Sequence, residues 1–329
     1  MSERLAELHD WLHDEVKLQT FTLAPASSDA SFRRYFRVSS GQHSHIVMDA
    51  PPDKEDCGPF IAVATALGAL GLNVPRILEA DVKRGFLLLS DLGSVSYLQA
   101  LDERSVERLY ADALRALGLL QTAPVEHVAL PAYDRALLLR EMALFRDWYL
   151  ARHLRVSMSE TISEVVEQTF TFLAAEALGQ PQVWVHRDYH SRNLMVTDDN
   201  NPGILDFQDA VIGPVTYDLV SLLRDCYISW PREWVLRWLG DYLARSQADG
   251  RLAGVDERQF RRWFDLMGVQ RHLKATGIFA RLNYRDGKPG YLPDIPRTLA
   301  YVAEVCTRYA ELEPLGRLLA ELPSAQASR

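Results

Sequence analysis

The spacing of apolar residues changes character near residue 93, and this change constrains the fold of the 329-residue chain more than any other feature. Before that point, the apolar residues fall in short runs bounded by turn-forming residues, which is typical of β-strands. After it, they recur at helical spacing over long segments. The sequence therefore predicts a bilobal α+β protein with a small, β-rich N-terminal lobe and a large, mostly helical C-terminal lobe.

Periodicity and turn residues also predict the individual elements. The N-terminal lobe is expected to contain helices over 3–18 and 58–71, and strands over 35–38, 45–48, 76–80 and 85–89. The C-terminal lobe is expected to contain helices over 94–101, 103–121, 134–154, 158–178, 216–230, 231–247, 256–283, 293–311 and 313–321, with short strands over 182–185, 194–196 and 203–205. We place a hinge near 90–93, which separates an N-terminal nucleotide-binding lobe (residues 1–93) from a C-terminal lobe (residues 94–329).

Composition argues against several classes of protein. The net charge of −8 and the pI near 5.6 differ from the basic footprint of nucleic-acid-binding proteins. Cys57, Cys226 and Cys306 form no paired motif, so neither a zinc site nor a disulfide framework is expected. The N-terminus lacks the apolar segment of a signal peptide, and glycine and proline interrupt the uncharged stretch 57–75. We expect a cytoplasmic protein that binds neither nucleic acid nor membrane, and we infer no obligate protein partner.

One segment carries the chemistry. It reads HRDYHSRN from His186 to Asn193, and Asp206, followed by Phe207, lies thirteen positions after Asn193. This is the H-R-D-x-x-x-x-N and D-F pattern of kinase-like phosphotransferases. A loop carboxylate at Asp188 can accept the proton of an attacking hydroxyl. Asn193 and Asp206 supply hard oxygen ligands that suit Mg²⁺, which would bridge the phosphates of ATP.

Each of these residues also has an ordinary structural interpretation. An aspartate after an arginine in a loop is commonly part of a turn or a surface ion pair, and an asparagine before an apolar run is commonly a cap. The joint pattern, with its spacing and its flanking strands, is far more specific than any single residue. The sequence contains no P-loop, no G-x-G-x-x-G and no H-E-x-x-H motif.

The chain resembles the aminoglycoside phosphotransferase-like superfamily, whose protein-kinase-like members phosphorylate small molecules. The resemblance covers about residues 20–310, and it rests on the stretches 27–35, 71–78, 88–93 and 213–219. Within the superfamily, the chain is most similar to the bacterial kinases that phosphorylate the anomeric hydroxyl of N-acetylmuramate and N-acetylglucosamine in cell-wall recycling. The residues that indicate this closer similarity are 186–193, 206–210 and 270–274.

The resemblance implies a role for each matching residue. Asp188 would be the catalytic base, Asn193 and Asp206 would be the metal ligands, and ATP and Mg²⁺ would be the cofactors. The loop from Ser27 to Arg34, with Ser28 and Ser31, would cover the nucleotide phosphates, and the backbone at Ser90 and Leu92 would contact the adenine. Asp218 would begin a helix and support the catalytic loop.

The third strand departs from the family pattern. That strand usually presents a Lys or Arg to the α- and β-phosphates, but here Met48 or Asp49 falls at the position. We expect an acid there to repel phosphate. Arg33 and Arg34 are the nearest substitutes, with Lys54 behind them, although each arginine also fits a solvated strand edge.

The acceptor site is predicted from charge. Basic residues outnumber acidic ones between Met267 and Ala300, and Arg271, Lys274 and Arg281 share one helical face. The resemblance implies that this late helix lines the acceptor side, so an anionic acceptor such as N-acetylmuramate is favoured. The predicted acceptor-binding residues are Arg271, His272, Arg281 and Asp209. A solvated basic stripe and a capping role for Asp209 are the alternatives.

Taken together, these observations predict ATP- and Mg²⁺-dependent phosphorylation of the anomeric hydroxyl of N-acetylmuramate or N-acetylglucosamine, a small-molecule amino sugar. Two alternatives remain at this point. One is a kinase of another small alcohol of the aminoglycoside, choline or homoserine type, and the other is a non-catalytic nucleotide-binding pseudokinase.

Overall fold

The computed structural model describes residues 3–28, 32–125 and 128–322. Their contacts group them into two compact units. The first unit contains the described residues up to 116, together with 128 and 192–209, and the second contains 117–125, 129–191 and the residues from 210 onward. The first unit thus includes stretches that lie beyond the hinge predicted near 90–93, and the lobe boundary itself stays a prediction.

The first unit contains an antiparallel sheet of five strands in the order β1-β2-β3-β5-β4. The strands are β1 (Thr22–Ser28), β2 (Arg34–Ser40), β3 (His43–Asp49), β4 (Ile77–Asp81) and β5 (Phe86–Ser90). The four predicted strands are confirmed. Strand β1 was not predicted, because Pro25 and its small neighbours do not show the apolar alternation of a strand. Proline is tolerated there because β1 lies at the sheet edge, where the pairing register shifts between Pro25 and Ser27.

The N-terminal helix covers one face of this sheet. Helix α1 (Glu3–Asp10) continues as a π-helical segment (Trp11–Glu15), so helical structure ends three residues before the predicted end at 18. Leu8, Trp11 and Leu12 pack against Val38 and Val47 in a buried apolar cluster. Because side chains alternate along a strand, Asp49 lies on the same face of β3 as Val47, whereas Met48 lies on the opposite face.

The remaining elements of the first unit are short. They include α2 (Gly58–Ala69), α3 (Tyr97–Ala100) and the strand pair β7 (Leu194–Met195) and β8 (Gly203–Ile204). Helix α4 (Val106–Leu120) extends from the first unit into the second. The pair β7–β8 is joined to the rest of the first unit by bridges from Asn73 to Gly203 and from Ser96 to Met195.

The second unit is mostly helical. Its α-helices are α5 (Arg135–Leu144), α6 (Glu160–Leu178), α7 (Tyr217–Leu223), α8 (Arg232–Ala248), α9 (Glu257–Asp286), α10 (Ile295–Cys306) and α11 (Glu313–Glu321). A π-helical segment (Phe145–His153) extends α5, and 3₁₀ turns (Pro289–Asp294 and Ala310–Leu312) flank α10. Strand β6 (Gln182–Val185) pairs with β9 (Val211–Pro214). Strand β9 was not predicted, because its Gly-Pro end has the composition of a turn.

Helix α9 is the centre of the second unit. It is 30 residues long, is mostly buried between Phe264 and Leu282, and contacts α5, α6, α7, α8 and α10. The predicted helix over 216–230 is shorter in the structure and ends at Leu223, because Arg224 leaves the helical conformation. Among the described residues, none of the helices combines the length and the apolar character needed to span a bilayer.

Gly277 lets α9 pack closely on the end of α5. A Cβ atom at this position would lie 2.5 Å from the Leu144 carbonyl oxygen and 2.5 Å from the Phe145 nitrogen. Both atoms belong to the backbone, so they cannot rotate away as a side chain would. Gly240 in α8 is the opposite case, since an added Cβ there meets nothing within 4 Å.

We predict that Gly277→Ala destabilises the protein by about 1–3 kcal/mol through overpacking. The matched variant Gly240→Ala should be neutral or should gain up to about 1 kcal/mol, because alanine favours the helix. Urea denaturation followed by circular dichroism measures both free energies of unfolding. Equal stability of the two variants would contradict the close packing of α9.

Candidate active site

The turn that carries Asp188 is held at its start by a buried carboxylate. Asp218, in the first turn of α7, accepts hydrogen bonds from the backbone N–H groups of His186 (2.7 Å) and Arg187 (3.0 Å). Arg187 has a φ of +77°, a conformation that a non-glycine residue adopts only when its surroundings enforce it. Burial raises the pKa of Asp218 to about 7, although both backbone hydrogen bonds favour its charged form. The predicted supporting role of Asp218 agrees with these contacts.

The other end of the same loop is held in the same way. Asp225 accepts hydrogen bonds from the backbone N–H groups of Ser191 (2.9 Å) and Tyr227 (2.9 Å). His190 is buried, and its ring contacts Tyr227 edge-on with the centroids 5.3 Å apart. The loop is therefore fixed on both sides of Asp188 by contacts within the second unit.

Asp188 is surrounded by positive charge. Burial alone would raise its pKa, but the nearby cations outweigh burial, so the pKa lies below its ordinary value. The charges belong to Lys274, His190, Arg271 and Arg187. Asp188 is consequently ionised near neutral pH and can accept a hydrogen bond from a hydroxyl group.

Two of these cations belong to a buried network that the sequence analysis did not find. Glu141, in α5, forms ion pairs with Arg187 and with Lys274, the latter with Nζ and Oε1 3.0 Å apart, and it accepts a hydrogen bond from Tyr133. Lys274 also donates to the hydroxyl of Tyr217 (3.0 Å). Glu141 lies in the middle of a helix outside any motif, so the sequence offers no signal for this role.

The first unit brings Asn193 and Asp206 together. The two residues flank the β7–β8 pair, and the Leu205 N–H donates to the Asn193 carbonyl (2.9 Å). The Asn193 Nδ2 donates to Asp206 Oδ2 (3.2 Å), and Gln208 Nε2 donates to Asp206 Oδ1 (2.7 Å). Asp206 has a φ of +63°, a strained conformation of the kind found at functional sites. This contact of Gln208 with Asp206 was not predicted from the sequence.

This donor set fits a magnesium ion that is also bound by a substrate. Asp206 offers carboxylate oxygens, and Asn193 offers an amide oxygen once its side-chain amide is turned. In the ranges that the structure covers, no group of three His, Cys, Asp or Glu side chains is placed to hold a metal ion. Mg²⁺ commonly uses one or two protein carboxylates and completes its shell with water and phosphate oxygens.

Apolar contacts fix the position of this pair within the first unit. The ring of Phe207, next to Asp206, packs against Phe60 of α2 with centroids 4.9 Å apart. Gly203 in β8 lies against the side chain of Leu92, which a Cβ atom would approach to 3.1 Å. Leu92, predicted to contact adenine, is thus packed beside the strand pair.

The structure corrects our expectation for the third strand. Asp49 is fully buried on the sheet face that α1 covers, and it pairs with Arg4 (Nε to Oδ1, 2.7 Å) and with Arg34 (Nε to Oδ2, 2.9 Å). Its charge is therefore compensated and does not act as an isolated repulsive acid. Met48, which is also buried, is the residue that faces the other side of β3.

The predicted nucleotide-binding residues differ in the contacts that they already make within the protein. Arg33 pairs with Glu55 (2.9 Å), and Arg34 pairs with Asp49, so each arginine already contacts a carboxylate. The Ser90 N–H donates to the Arg76 carbonyl (2.9 Å). Ser28 ends β1, and Ser31 lies outside the described residues.

The predicted acceptor-binding residues also differ in their burial and in their hydrogen-bond partners. Arg271 is 6% exposed, and its Nη1 donates to the sulfur of Cys226 at 3.6 Å. His272 is 1% exposed, donates from Nε2 to the Arg224 carbonyl (2.8 Å), and has a pKa lowered by burial to about 3. These contacts favour a packing role for His272. Arg281 is partly buried, and Asp209 is exposed in the first unit.

Comparison with known proteins identifies the family of the chain. The family described as phosphotransferase enzyme family matches residues 22–264. The N-acetylmuramate/N-acetylglucosamine kinase of Pseudomonas putida is 47% identical over 97% of this chain and 96% of its own length. Kinases of the same name from Pseudomonas aeruginosa and Neisseria meningitidis serogroup B are 51% identical (92% of this chain, 88% of the relative) and 45% identical (97% and 96%).

Solved structures support the fold class. An ADP-bound aminoglycoside phosphotransferase aligns with a TM-score of 0.60 at 15% identity, covering 90% of this chain and 97% of its own. A choline kinase from Cryptosporidium parvum aligns with a TM-score of 0.63 at 11% identity, covering 96% and 99%. Such low identity establishes the fold alone, and it confirms the predicted kinase-like α+β class. The chain belongs to the phosphotransferase enzyme family.

Proposed function

We propose that the protein is an ATP-dependent kinase that phosphorylates the anomeric hydroxyl of N-acetylmuramate and N-acetylglucosamine. The observation that carries the proposal is an ionised aspartate, Asp188, on a loop fixed at both ends, in a chain 45–51% identical to three kinases of that name. Because these sugars come from peptidoglycan, we further propose a cytoplasmic role in cell-wall recycling.

The proposed reaction is a single phosphoryl transfer. The oxygen of the anomeric hydroxyl forms a bond to the γ-phosphorus of ATP while the bond from that phosphorus to the bridging oxygen breaks, and ADP leaves with the electron pair. The hydroxyl proton passes to the carboxylate of Asp188. Since the low pKa of Asp188 makes it a weak base, its main contribution is to orient the hydroxyl and to accept the proton late in the transfer.

Asn193 and Asp206 are the residues proposed to hold Mg²⁺. When bound, the ion would offset the negative charge of the phosphate oxygens. Gln208 would hold the Asp206 carboxylate in orientation through its hydrogen bond of 2.7 Å. For the nucleotide we propose contacts from Ser28, Ser31, Ser90 and Leu92, while Arg33 and Arg34 would share their charge between phosphate and their carboxylate partners.

Arg271 is the residue proposed to bind the carboxylate of N-acetylmuramate. Its guanidinium is buried, and within the described ranges no carboxylate forms an ion pair with it. The charges of Asp188 and Asp225 act on Arg271 through space, and an anionic ligand would add a direct partner, which a buried cation favours. Arg281 and Asp209 are proposed as further contacts to the sugar.

The alternative acceptors fit this environment less well. Aminoglycosides and choline are cationic, and the positive charges of Arg271 and Lys274 beside Asp188 would repel them. The presence of Asp188, Asn193 and Asp206 in supported positions argues against a pseudokinase. A coupled assay of ADP production across amino sugars, aminoglycosides, choline and homoserine separates these possibilities, and turnover of a cationic acceptor alone would refute the proposal.

We predict that Asp188→Asn lowers kcat for N-acetylmuramate by about 10²- to 10⁴-fold, because the proton acceptor is lost. Binding of a non-hydrolysable ATP analogue, measured by calorimetry, should be unchanged. Asp147→Asn, at an exposed acid in the second unit, is the control and should keep the wild-type rate. A rate within a few fold of wild type for Asp188→Asn would remove it from the mechanism.

We predict that Arg271→Met raises the KM for N-acetylmuramate by about 10- to 100-fold, the range expected for loss of a hydrogen bond to a charged group. The KM for N-acetylglucosamine, which lacks the carboxylate, should change by much less. This second sugar is an internal control for misfolding. An equal rise in KM for both sugars would show that Arg271 does not bind the carboxylate.

A further inference from the structure

Asp91, the residue that follows β5, is held by side chains from two other strands of the sheet. Arg37 of β2 donates from Nε to Asp91 Oδ2 (2.7 Å) and from Nη2 to Asp91 Oδ1 (3.1 Å), and Ser44 of β3 donates its hydroxyl to Oδ2. A guanidinium that contacts both oxygens of a carboxylate fixes its direction as well as its distance. The carboxylate of Asp91 is therefore held in one orientation.

The same ion pair closes the turn that follows Asp91. The Gly93 N–H donates to Asp91 Oδ1 (3.0 Å), and Arg37 Nη2 donates to the Gly93 carbonyl (2.9 Å). Gly93 has a φ of +91°, in the region that favours glycine. Leu92 thus lies between two residues that are both bound to Arg37, so one guanidinium fixes the backbone on either side of it.

The backbone of Leu92 is placed to bind a ligand. Among the described residues, none forms a hydrogen bond with the N–H or the carbonyl of Leu92. Its side chain packs against Gly203 of β8, the strand that leads toward Asp206. A donor and an acceptor on one fixed segment, beside an apolar side chain, suit the edge of a flat heterocycle such as adenine.

We propose that Arg37 and Asp91 are positioning residues for the nucleotide, which together hold the backbone of Leu92 in the orientation that binds the edge of adenine. The proposal rests on the proposed function, in which Leu92 contacts adenine. It deepens that function by assigning a role to an ion pair that acts on the nucleotide only through Leu92.

The test measures the affinities of ADP and of inosine diphosphate by calorimetry. The two nucleotides differ at the edge of the base, where inosine carries an oxygen in place of the amino group of adenine. We expect the wild-type protein to prefer ADP. Arg37→Gln should weaken ADP binding by about 5- to 20-fold, because the segment that contacts adenine loses its anchor, and should change the affinity for inosine diphosphate by less than about threefold.

Arg84→Gln is the matched control. Arg84 is exposed to a similar degree as Arg37 (35% and 31% of the side chain) and pairs with Asp81 (Nε to Oδ2, 2.6 Å) near the other end of β5. This variant should keep both affinities within about twofold. An ADP affinity unchanged by Arg37→Gln, an equal loss for the two nucleotides, or a wild-type protein without preference for ADP would overturn the inference.

A second variant tests whether the two residues act as a unit. Asp91→Asn should also weaken ADP binding selectively, and the double variant with Arg37→Gln should lose little more than either single variant, because each change breaks the same anchor. Circular dichroism establishes that each variant is folded. Additive losses would contradict the pairing. Failure of the wild-type protein to bind either nucleotide would instead refute the proposed function.

Discussion

The carboxylate of Asp218 accepts hydrogen bonds from two consecutive backbone amides, those of His186 and Arg187, and the geometry of the catalytic loop depends on this interaction. The positive φ of Arg187 turns the chain directly before Asp188, and it is maintained because Asp218 holds the amides of His186 and Arg187. Asp225 fixes the far end of the loop at Ser191. A preformed turn reduces the cost of ordering Asp188, the proposed base, in each catalytic cycle.

Charge is the second constraint on this region. The second unit buries several cations, and a buried ion pair is in general weak support for stability because desolvation offsets the attraction. Arg224 and Asp265 form one such pair, and Glu141 shares its charge between Lys274 and Arg187. Arg271 differs because a thiol is its hydrogen-bond acceptor among the described residues. This contact is the observation behind the proposal that Arg271 binds an anionic ligand.

The sequence predicted the parts of the structure that depend on local pattern. Strands β2, β3, β4 and β5 followed from short apolar runs with turns between them. The fixed spacing of a motif predicts Asp188, Asn193 and Asp206 as site residues, and these roles stay predictions. Strand β1 was not predicted, because a proline such as Pro25 is typical of a loop, although an edge strand tolerates proline.

Features that depend on contacts between distant segments could not be predicted. Glu141 meets Lys274 because α5 packs against α9. Nothing in the local sequence marks Glu141, and the basic helical face that includes Lys274 does not indicate this partner. The orientation of Asp49 is a different case, since it depends on the register of β3. A shift of one residue moves a side chain to the other face of a sheet. The packing of the N-terminal helix on Val47 is a long-range contact that favours the observed face.

The position of the phosphoryl group in the product distinguishes the proposed reaction from the alternatives. The protein is incubated with ATP, Mg²⁺ and N-acetylmuramate labelled with a carbon isotope at C1, and the product is followed by phosphorus and carbon NMR. We predict a phosphorus–carbon coupling at C1 and one ADP for each sugar phosphate formed. Phosphate on any other hydroxyl, or ADP release without a phosphorylated sugar, would contradict it.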